Sequence, residues 1–163
     1  MDEASFDEFY QTSFNRLVAQ IYAMCGNITE AQDCVQEAFI RAWDKRRQLD
    51  KAQSPEAWVR TVAYRLSVSR WRRNSRARRD ADRAVEPIRT YEPGPDRVAI
   101  DAALAQISPE QRRVVVLHHL CDMSVAEIAH EIGAPQGTVK ARLSRGRAAL
   151  APFLIDVPEV RHA

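Results

Sequence analysis

The sequence contains only three cysteines, Cys25, Cys34 and Cys121, and no CxxC pair. So sparse and odd a set argues against a disulfide scaffold or a cysteine zinc site, and favours reduced thiols in the cytosol. Apolar runs are also short, since none approaches the ~20 residues that a transmembrane helix needs. No signal peptide precedes Phe6. We therefore predict a cytoplasmic protein without a membrane-inserted segment.

Motifs of catalysis and cofactor binding are missing as well. The chain has five glycines and no Gly-rich phosphate loop, no HExxH pair and no acid cluster suited to a metal-dependent nuclease. His118 and His119 are adjacent, so on a helix their side chains would point apart, which argues against a shared metal ion. We predict no enzyme activity, no catalytic residue, no metal site and no cofactor.

What the sequence does have is a strongly uneven distribution of charge. The net charge is only +2, yet residues 1–40 contain seven acids against the single Arg16. Residues 60–83 contain nine arginines and two acids. Such a density of cations is typical of a surface that meets a polyanion. We predict that the N-terminal part binds protein and that the middle binds nucleic acid.

Two amphipathic helices are predicted within the first 45 residues. Ser5 with Glu8, and Thr29 with Gln32, have the spacing of capping boxes at helix starts. Aromatic and aliphatic residues follow the first box at helical spacing, and they are most simply core. The inward stripe of the second helix is predicted to be Ala31, Val35, Ala38, Phe39 and Ala42.

The outward face of the second helix is predicted to carry Asp33, Gln36, Glu37 and Ile40. An apolar side chain rimmed by polar ones often marks a partner site. A single exposed isoleucine is also common on free monomers. Residue chemistry alone leaves both interpretations open and favours the second.

A third helix is predicted to begin at Ser54, Pro55 and Glu56, which supply a cap, a first-turn proline and an early acid. Aromatic rings among cations suit single-stranded nucleic acid, because bases stack on rings while phosphates meet charge. The alternative is that the rings complete the edge of a core. The predicted inward residues are Trp58, Val62 and Leu66. The predicted outward candidates are Arg60, Tyr64, Arg65, Trp71, Arg72 and Arg73.

Residues 81–98 contain prolines and a glycine with little apolar content, which indicates a linker. A chain of 163 residues can form two small domains. We predict an all-α fold of two small helical domains, residues 1–80 and 99–150, joined by a flexible linker. The short apolar tail at 151–163 either covers the last helix or tethers a regulator or protease.

Residues 124–150 have the pattern of a helix-turn-helix. Ser124 with Glu127 forms a capping box, Gly133 ends the first helix, and Pro135 presets the backbone where the second begins. The inward stripe of the second helix is predicted to be Val139, Leu143, Gly146 and Leu150.

The outer face of that second helix is basic and carries small residues. The fifteen residues 136–150 include no acid. A helix fits the major groove of DNA, where Arg and Lys donate to guanine edges and small residues permit close approach. The alternative is a solvated basic helix on an all-α bundle. The DNA-binding candidates are Gln136, Gly137, Thr138, Lys140, Ala141, Arg142, Ser144 and Arg145.

Three stretches resemble bacterial sigma factors of the sigma-70 family, in its extracytoplasmic-function (ECF) subgroup. From Ile107 the chain is similar to the region 4 pattern LPxxQRxVxxLxxxxGxSxxEIAxxLGxPxGTVKSRLxRAR. Residues 33–43 resemble the region 2 pattern DLVQExFxxAW, and residues 57–73 resemble AWLYRIARNLAIDxLRR. Departures from these patterns are Arg65 and Ser69 for the frequent Asn and Asp, Ile107 for Leu, Asp122 near the usual Gly, and Ala141 for Ser.

The resemblance implies a role for each surface. Asp33, Gln36, Glu37 and Ile40 would dock on the clamp coiled coil of the polymerase β′ subunit. The third helix with its preceding loop would melt and hold the −10 element, and the last helix would bind the −35 element. The linker would run through the polymerase cleft, where Glu86, Glu92 and Asp96 could mimic nucleic acid. Implied partners are core RNA polymerase, through β′ and β, promoter DNA and an anti-sigma factor.

Two other function classes compete with this interpretation. A conventional helix-turn-helix regulator with an N-terminal interaction or sensor domain would bind duplex DNA without polymerase. It gives no reason for an outward acidic helix followed by an arginine- and aromatic-rich one. An RNA or single-strand binding module is the third and weaker class.

Overall fold

The computed structural model describes residues 1–49, 54–80 and 95–154, of which residues 77–80 and 95 are described by their backbone alone. These ranges form eight α-helices and no strand. The chain divides into two compact units, unit 1 (residues 1–88) and unit 2 (residues 89–163). The helices are α1 (Glu3–Cys25), α2 (Ile28–Asp44), α3 (Arg46–Leu49), α4 (Pro55–Asp80), α5 (Pro95–Leu104), α6 (Pro109–His119), α7 (Val125–Ile132) and α8 (Gln136–Leu154).

In unit 1, α1 begins one turn earlier than the sequence predicts. The Asp2 carboxylate accepts a hydrogen bond from the Ser5 backbone N–H at 2.8 Å, so Asp2 is the N-cap. The predicted Ser5 and Glu8 box is wrong, because Ser5 already lies inside the helix. Aromatic rings of α1 pack on α2, with Phe6 in edge contact with Trp43 at a centroid distance of 5.1 Å.

The cap of α2 is Asn27, whose side-chain oxygen accepts from the Glu30 N–H at 2.9 Å. The predicted Thr29 and Gln32 box is therefore wrong. Asn is the stronger N-cap of the two candidates, because its short side-chain oxygen reaches the free amides of the first turn well. The inward stripe is confirmed, since Ala31, Val35, Ala38, Phe39 and Ala42 are all buried.

The polar segment between α2 and α4 contains the short helix α3, whose Leu49 is buried. Ser54 Oγ accepts from the Ala57 N–H at 3.4 Å, as expected at the start of α4. The inward stripe of α4 differs from the prediction, because Val59 and Ala63 are fully buried. The predicted inward residues Trp58, Val62 and Leu66 are only half-buried. Since α4 packs against both α1 and α2, its buried strip includes positions that an apolar count alone does not select.

In unit 2, α7 and α8 form the predicted helix-turn-helix. The Ser124 N–H donates to the Glu127 carboxylate at 2.7 Å, and the Glu127 N–H donates to Ser124 Oγ at 3.2 Å. These bonds complete the predicted capping box, and they lower the pKa of Glu127. Gly133 ends α7 with a φ of 67°, a left-handed conformation that glycine adopts without steric cost.

The stripe that packs α8 inward is confirmed, since Val139, Leu143, Gly146 and Leu150 are all buried. Gly146 lies against α6, where an added Cβ would come within 2.8 Å of Val115 Cγ2. Only glycine allows this close approach without displacing the neighbour.

Two predicted boundaries lie close to residues that the structure does not describe. α5 begins at Pro95, within residues 81–98, and α8 continues to Leu154, within residues 151–163. The rest of the predicted linker, with Glu86 and Glu92, and the tail from residue 155 lie outside the described residues. Asp96 is exposed in the first turn of α5.

Candidate polymerase and nucleic-acid surfaces

The outer face of α2 brings together the four predicted polymerase-binding residues. Asp33, Gln36 and Ile40 are exposed, and Glu37 is partly exposed. Ile40 has 56% of its surface exposed, while the opposite side of α2 is buried. Glu37 accepts a hydrogen bond from Arg41 Nε at 3.0 Å, one turn further along. The result is an acidic rim around one exposed aliphatic side chain.

This α2 outer face is connected to the basic helix α4. The Asp33 carboxylate lies 3.9 Å from Arg70 Nη1. Both side chains retain solvent access, so the pair contributes little to stability. Its value is positional, because it shows that the start of α2 lies beside the part of α4 that carries Trp71.

Most of the predicted −10 candidates lie on the surface of α4. Arg65, Trp71, Arg72 and Arg73 are exposed, and Trp71 has 63% of its surface accessible. Tyr64 is half-buried. An indole ring exposed among arginines can stack on an unpaired base while the cations meet phosphates.

Arg60 differs from the other five candidates, because the expectation that it faces outward is wrong. Its exposure is 7%, and it lies on the buried side of α4 with Val59 and Ala63. Its guanidinium Nη1 donates to Gln20 Oε1 of α1 at 3.1 Å and lies 4.0 Å from Glu56 Oε1. A buried guanidinium requires such partners, because an unpaired buried charge is strongly destabilising.

The Glu56 carboxylate also contacts α1 directly. Arg16 donates to both oxygens of Glu56, with Nε at 2.9 Å and Nη2 at 2.8 Å. This bidentate geometry is the strongest form of an arginine–carboxylate contact. The sequence analysis missed this set. A signal that could have found it is the acid–arginine pair Glu56 and Arg60, one helical turn apart.

On α8 the predicted −35 candidates all lie outside the buried stripe. Gln136, Gly137, Lys140, Ser144 and Arg145 are exposed. Thr138, Ala141 and Arg142 are half-buried beside them.

The cations of this face are available to a polyanion. Within the described part of the chain, Lys140, Arg142 and Arg145 take part in no ion pair. No neighbouring atom lies within 4 Å of a Cβ built on Gly137, so the first turn is open to a close-approaching partner.

The two adjacent histidines at the end of α6 are in contact, contrary to the expectation that they point apart. Their rings meet edge to face with centroids 4.9 Å apart. His118 Nδ1 lies 2.8 Å from the Met123 carbonyl, and Arg147 Nε of α8 donates to His119 Nε2 at 3.3 Å. Burial, with the neighbouring His118 and Arg147, lowers the pKa of His119. Among the described residues no group of three or more His, Cys, Asp or Glu side chains could hold a metal ion.

Unit 2 also has an apolar cleft of about 460 Å³ that the sequence analysis did not predict. Ile100 and Leu154 on its lining are each more than 40% exposed. No helix in the described ranges is both long enough and apolar enough to cross a lipid bilayer. The principal lining residues of the cleft are Ile100, Ala103, Leu104, Leu120, Leu150 and Leu154.

Comparison with family models places two known regions on this geometry. The model described as sigma-70 region 2 matches residues 9–77, and the model described as sigma-70 region 4 matches residues 97–150. The first match covers most of α1 and all of α2, together with α4 up to residue 77. The second covers α6 and α7 and continues to residue 150 of α8.

Curated relatives cover most of the chain. The ECF RNA polymerase sigma factor SigL of Mycobacterium tuberculosis is 34% identical over 128 residues, which is 74% of this chain and 72% of SigL. SigW of Bacillus subtilis is 28% identical over 172 residues, covering 96% of this chain and 92% of SigW. SigE of Mycolicibacterium smegmatis is 30% identical over 159 residues, and the match spans only 62% of the length of that protein.

Solved structures have the same fold. The sigma factor RpoE of Bartonella quintana, in complex with the anti-sigma factor NepR, aligns with a TM-score of 0.77 at 24% identity, covering 94% of this chain and 99% of RpoE. CnrH, in complex with the cytosolic domain of CnrY, aligns with a TM-score of 0.70 at 21% identity, covering 94% of this chain and 89% of CnrH.

Proposed function

Because the chain belongs to the sigma-70 family of RNA polymerase sigma factors, in its ECF group, we propose that it binds core RNA polymerase and directs it to specific promoters. The single observation that carries this proposal is the presence of two sigma regions in one chain, each with an exposed surface that the folding of its own unit does not use. Unit 1 has the α2 outer face, and unit 2 has the basic outer face of α8.

In the proposed sequence of events, the α2 outer face docks on the β′ clamp coiled coil of core polymerase, and the β subunit is a further contact. Ile40 supplies apolar contact, and Asp33, Gln36 and Glu37 supply a polar rim. The high exposure of Ile40 supports this, because an aliphatic side chain gains most from a partner when it is uncovered in the free protein.

Recognition of DNA is divided between the two units. The α8 outer face enters the major groove at the −35 element, with Arg145 near its centre and Lys140 and Arg142 toward its edges. On α4, Arg65, Trp71, Arg72 and Arg73 hold the −10 strand after separation, and half-buried Tyr64 adjoins them. Arg65 and Ser69 depart from the common pattern, so we expect melting to be retained with a different preferred −10 sequence.

Regulation and location follow from the same proposal. The complex of the sigma factor RpoE with the anti-sigma factor NepR supports, for this chain, sequestration by a protein that covers the faces polymerase needs. The protein works in the cytoplasm, where promoter DNA and polymerase meet. It supplies no catalytic residue and no cofactor, and the phosphodiester chemistry belongs to polymerase.

A stand-alone helix-turn-helix regulator is not favoured. That class accounts for unit 2 alone, whereas the region 2 match extends over residues 9–77. It also leaves the α2 outer face and the exposed Trp71 without a task.

The experiment that tests the proposal is transcription from a defined promoter by the purified full-length chain with core polymerase. We expect transcripts that start at one position and that neither component produces alone. Specific duplex binding by the chain alone, without any polymerase-dependent start, would support the stand-alone regulator instead.

A further inference from the structure

We propose that Arg60 is a positioning residue. It fixes the N-terminal part of α4 against α1 and so determines the position of the exposed −10 candidates of α4. The inference rests on the proposed function, because it concerns how promoter opening depends on α4. It assigns a role to the four side chains Arg16, Gln20, Glu56 and Arg60, which we call the α1–α4 clasp.

The relative direction of α1 and α4 follows from their two side-chain pairs. Arg16 contacts Glu56, and Gln20 contacts Arg60, one helical turn further along both α1 and α4. In both pairs the partners are 40 residues apart in the chain. The helices therefore run in the same direction where they meet, and the clasp fixes their relative register.

α1 supports only the first part of α4. At the register of the clasp, the last residue of α1, Cys25, is level with Arg65. Trp71 lies three turns beyond Arg60 on the same side of α4, yet it is 63% exposed, whereas Arg60 is 7% exposed. The side of α4 that α1 covers at the clasp is thus uncovered at Trp71.

The polar contacts that attach α4 to its neighbours differ along its length. Beyond Arg65, α4 is tied to α2 by the Asp33–Arg70 pair, which is long at 3.9 Å. The clasp instead has a bidentate arginine–carboxylate contact and a buried guanidinium. Directional, charge-assisted bonds define geometry more narrowly than apolar contacts do. An error at the clasp is carried along the rigid helix to Trp71.

Arg60 and Arg65 lie on different sides of α4. Arg65 lies about 140° around the helix from Arg60, at ~100° per residue, and it is exposed. Val59 and Ala63 flank Arg60 in the core and are fully buried. Arg60 therefore acts on DNA through the placement of α4 and not through a phosphate contact.

The test compares Arg60→Ala, Gln20→Ala and Arg65→Ala in holoenzyme assembled from the full chain and core polymerase. Wild-type holoenzyme is assayed first, and a failure to start transcripts there counts against the proposed function and not against the clasp. Each variant is measured for core affinity, for closed-complex binding at several salt concentrations, and for permanganate reactivity of melted thymines.

We expect Arg60→Ala and Gln20→Ala each to lower the equilibrium constant for promoter opening by at least about tenfold. Placement errors near 1 Å can reduce the rate of a reaction by up to about 100-fold. Core affinity, far-UV circular dichroism and the salt slope of closed-complex binding should remain at wild-type values. Gln20 is buried and uncharged, so its effect cannot come from a phosphate. The double variant should be no worse than the worse single one, and Arg60→Lys should recover part of the loss.

Three results would overturn the proposal. The first is a salt slope reduced by about one unit in Arg60→Ala, the signature of a lost phosphate contact. The second is wild-type opening in Gln20→Ala. The third is loss of core affinity in parallel with opening, which would make the clasp a general support of unit 1. If Arg60→Ala does not fold, Gln20→Ala and Arg60→Lys decide the question.

Discussion

The two helices proposed to contact DNA, α4 and α8, are fixed to their units in different ways. The buried stripe of α8 consists of Val139, Leu143, Gly146 and Leu150, and none of these has a polar side chain. Every basic residue of the outer face of α8 is exposed or half-buried. The buried side of α4 includes Arg60 and Ser67 beside Val59 and Ala63. When the buried stripe of a helix is apolar, the remaining positions can be assigned to its outer face. A buried arginine is wrongly assigned to the outer face by the same reasoning.

The two helices also differ in the form of DNA for which their exposed side chains are suited. The α8 outer face has three cations free of ion pairs among the described residues, as suits a helix that reads an intact duplex. On α4 the exposed arginines surround an exposed indole, as suits a strand that has already separated. Five predictions test or sharpen this contrast.

The largest expected effect is on the stability of unit 2. Gly146→Leu should destabilise it by about 3 kcal/mol, because the new side chain collides with Val115 in a packed interface. All three tryptophans lie in residues 1–88. Denaturant unfolding monitored by circular dichroism should therefore show the lower stability of unit 2. The unfolding midpoint monitored by tryptophan fluorescence, which reports on unit 1, should stay unchanged.

The matched control is Gly137→Ala in the same helix, where no atom lies within 4 Å of the new Cβ. It should change stability by less than about 1 kcal/mol. Both changes replace glycine with a better helix former, so helix propensity alone predicts no destabilisation. Unchanged stability in Gly146→Leu would show that the approach to α6 leaves room for a side chain.

Next in size is the split between base-reading and phosphate-binding cations on α8. Arg145→Ala should cost about 1 to 3 kcal/mol and flatten preference at one or two −35 positions. Lys140→Ala and Arg142→Ala should weaken all sequences similarly and lower the salt slope by about one unit. A panel of single-base −35 variants, titrated with holoenzyme at several salt concentrations, measures both. A uniform loss in Arg145→Ala, with altered base preference in Lys140→Ala, would reverse the assignment.

In unit 1, Ile40→Asp should weaken core polymerase binding by about 2 kcal/mol, as at an interface hot spot. The fold should not change, because Ile40 is 56% exposed. Core affinity and far-UV circular dichroism test this. Gln11→Asp, which introduces the same carboxylate at an exposed position of α1, is the control. Unchanged affinity in Ile40→Asp would remove this residue from the interface.

Arg65→Ala contrasts directly with Arg145→Ala, since the same side chain is removed from the other helix. We expect the free energy of promoter opening to become less favourable by about 1 kcal/mol, within the range for one lost base contact. Initial duplex binding should change less, because Arg65 meets the strand only after separation. Permanganate reactivity is the measurement. An equal loss in closed-complex binding would place Arg65 among the duplex-contacting residues.

The smallest effect concerns the turn between α6 and α7. Asp122 has a φ of 52°, a left-handed conformation that is costly for most side chains and free of that cost for glycine. Asp122→Gly should stabilise unit 2 by at most about 1 kcal/mol, because relief of the left-handed cost exceeds the extra entropy of glycine in the unfolded chain. Asp122→Ala should destabilise it. Circular dichroism of unfolding, with tryptophan fluorescence as the internal reference, measures both. A less stable Gly variant would show that the aspartate makes a compensating contact.

Much of this protein was determined by local sequence. The α7 capping box and the α8 stripe were predicted correctly, because Ser124 with Glu127 and the spacing of Val139, Leu143, Gly146 and Leu150 act within one or a few helical turns. The same applies to the inward stripe of α2. The α2 outer face followed by subtraction, since its four residues are the ones that this stripe leaves out.

Tertiary structure alone decided the features that depend on a neighbouring helix. Arg60 entered the core because Gln20 of α1, 40 residues away in the chain, offers an oxygen at 3.1 Å. Periodicity says which residues share a side of a helix, but a polar side chain is buried only where another element supplies its hydrogen-bond partner.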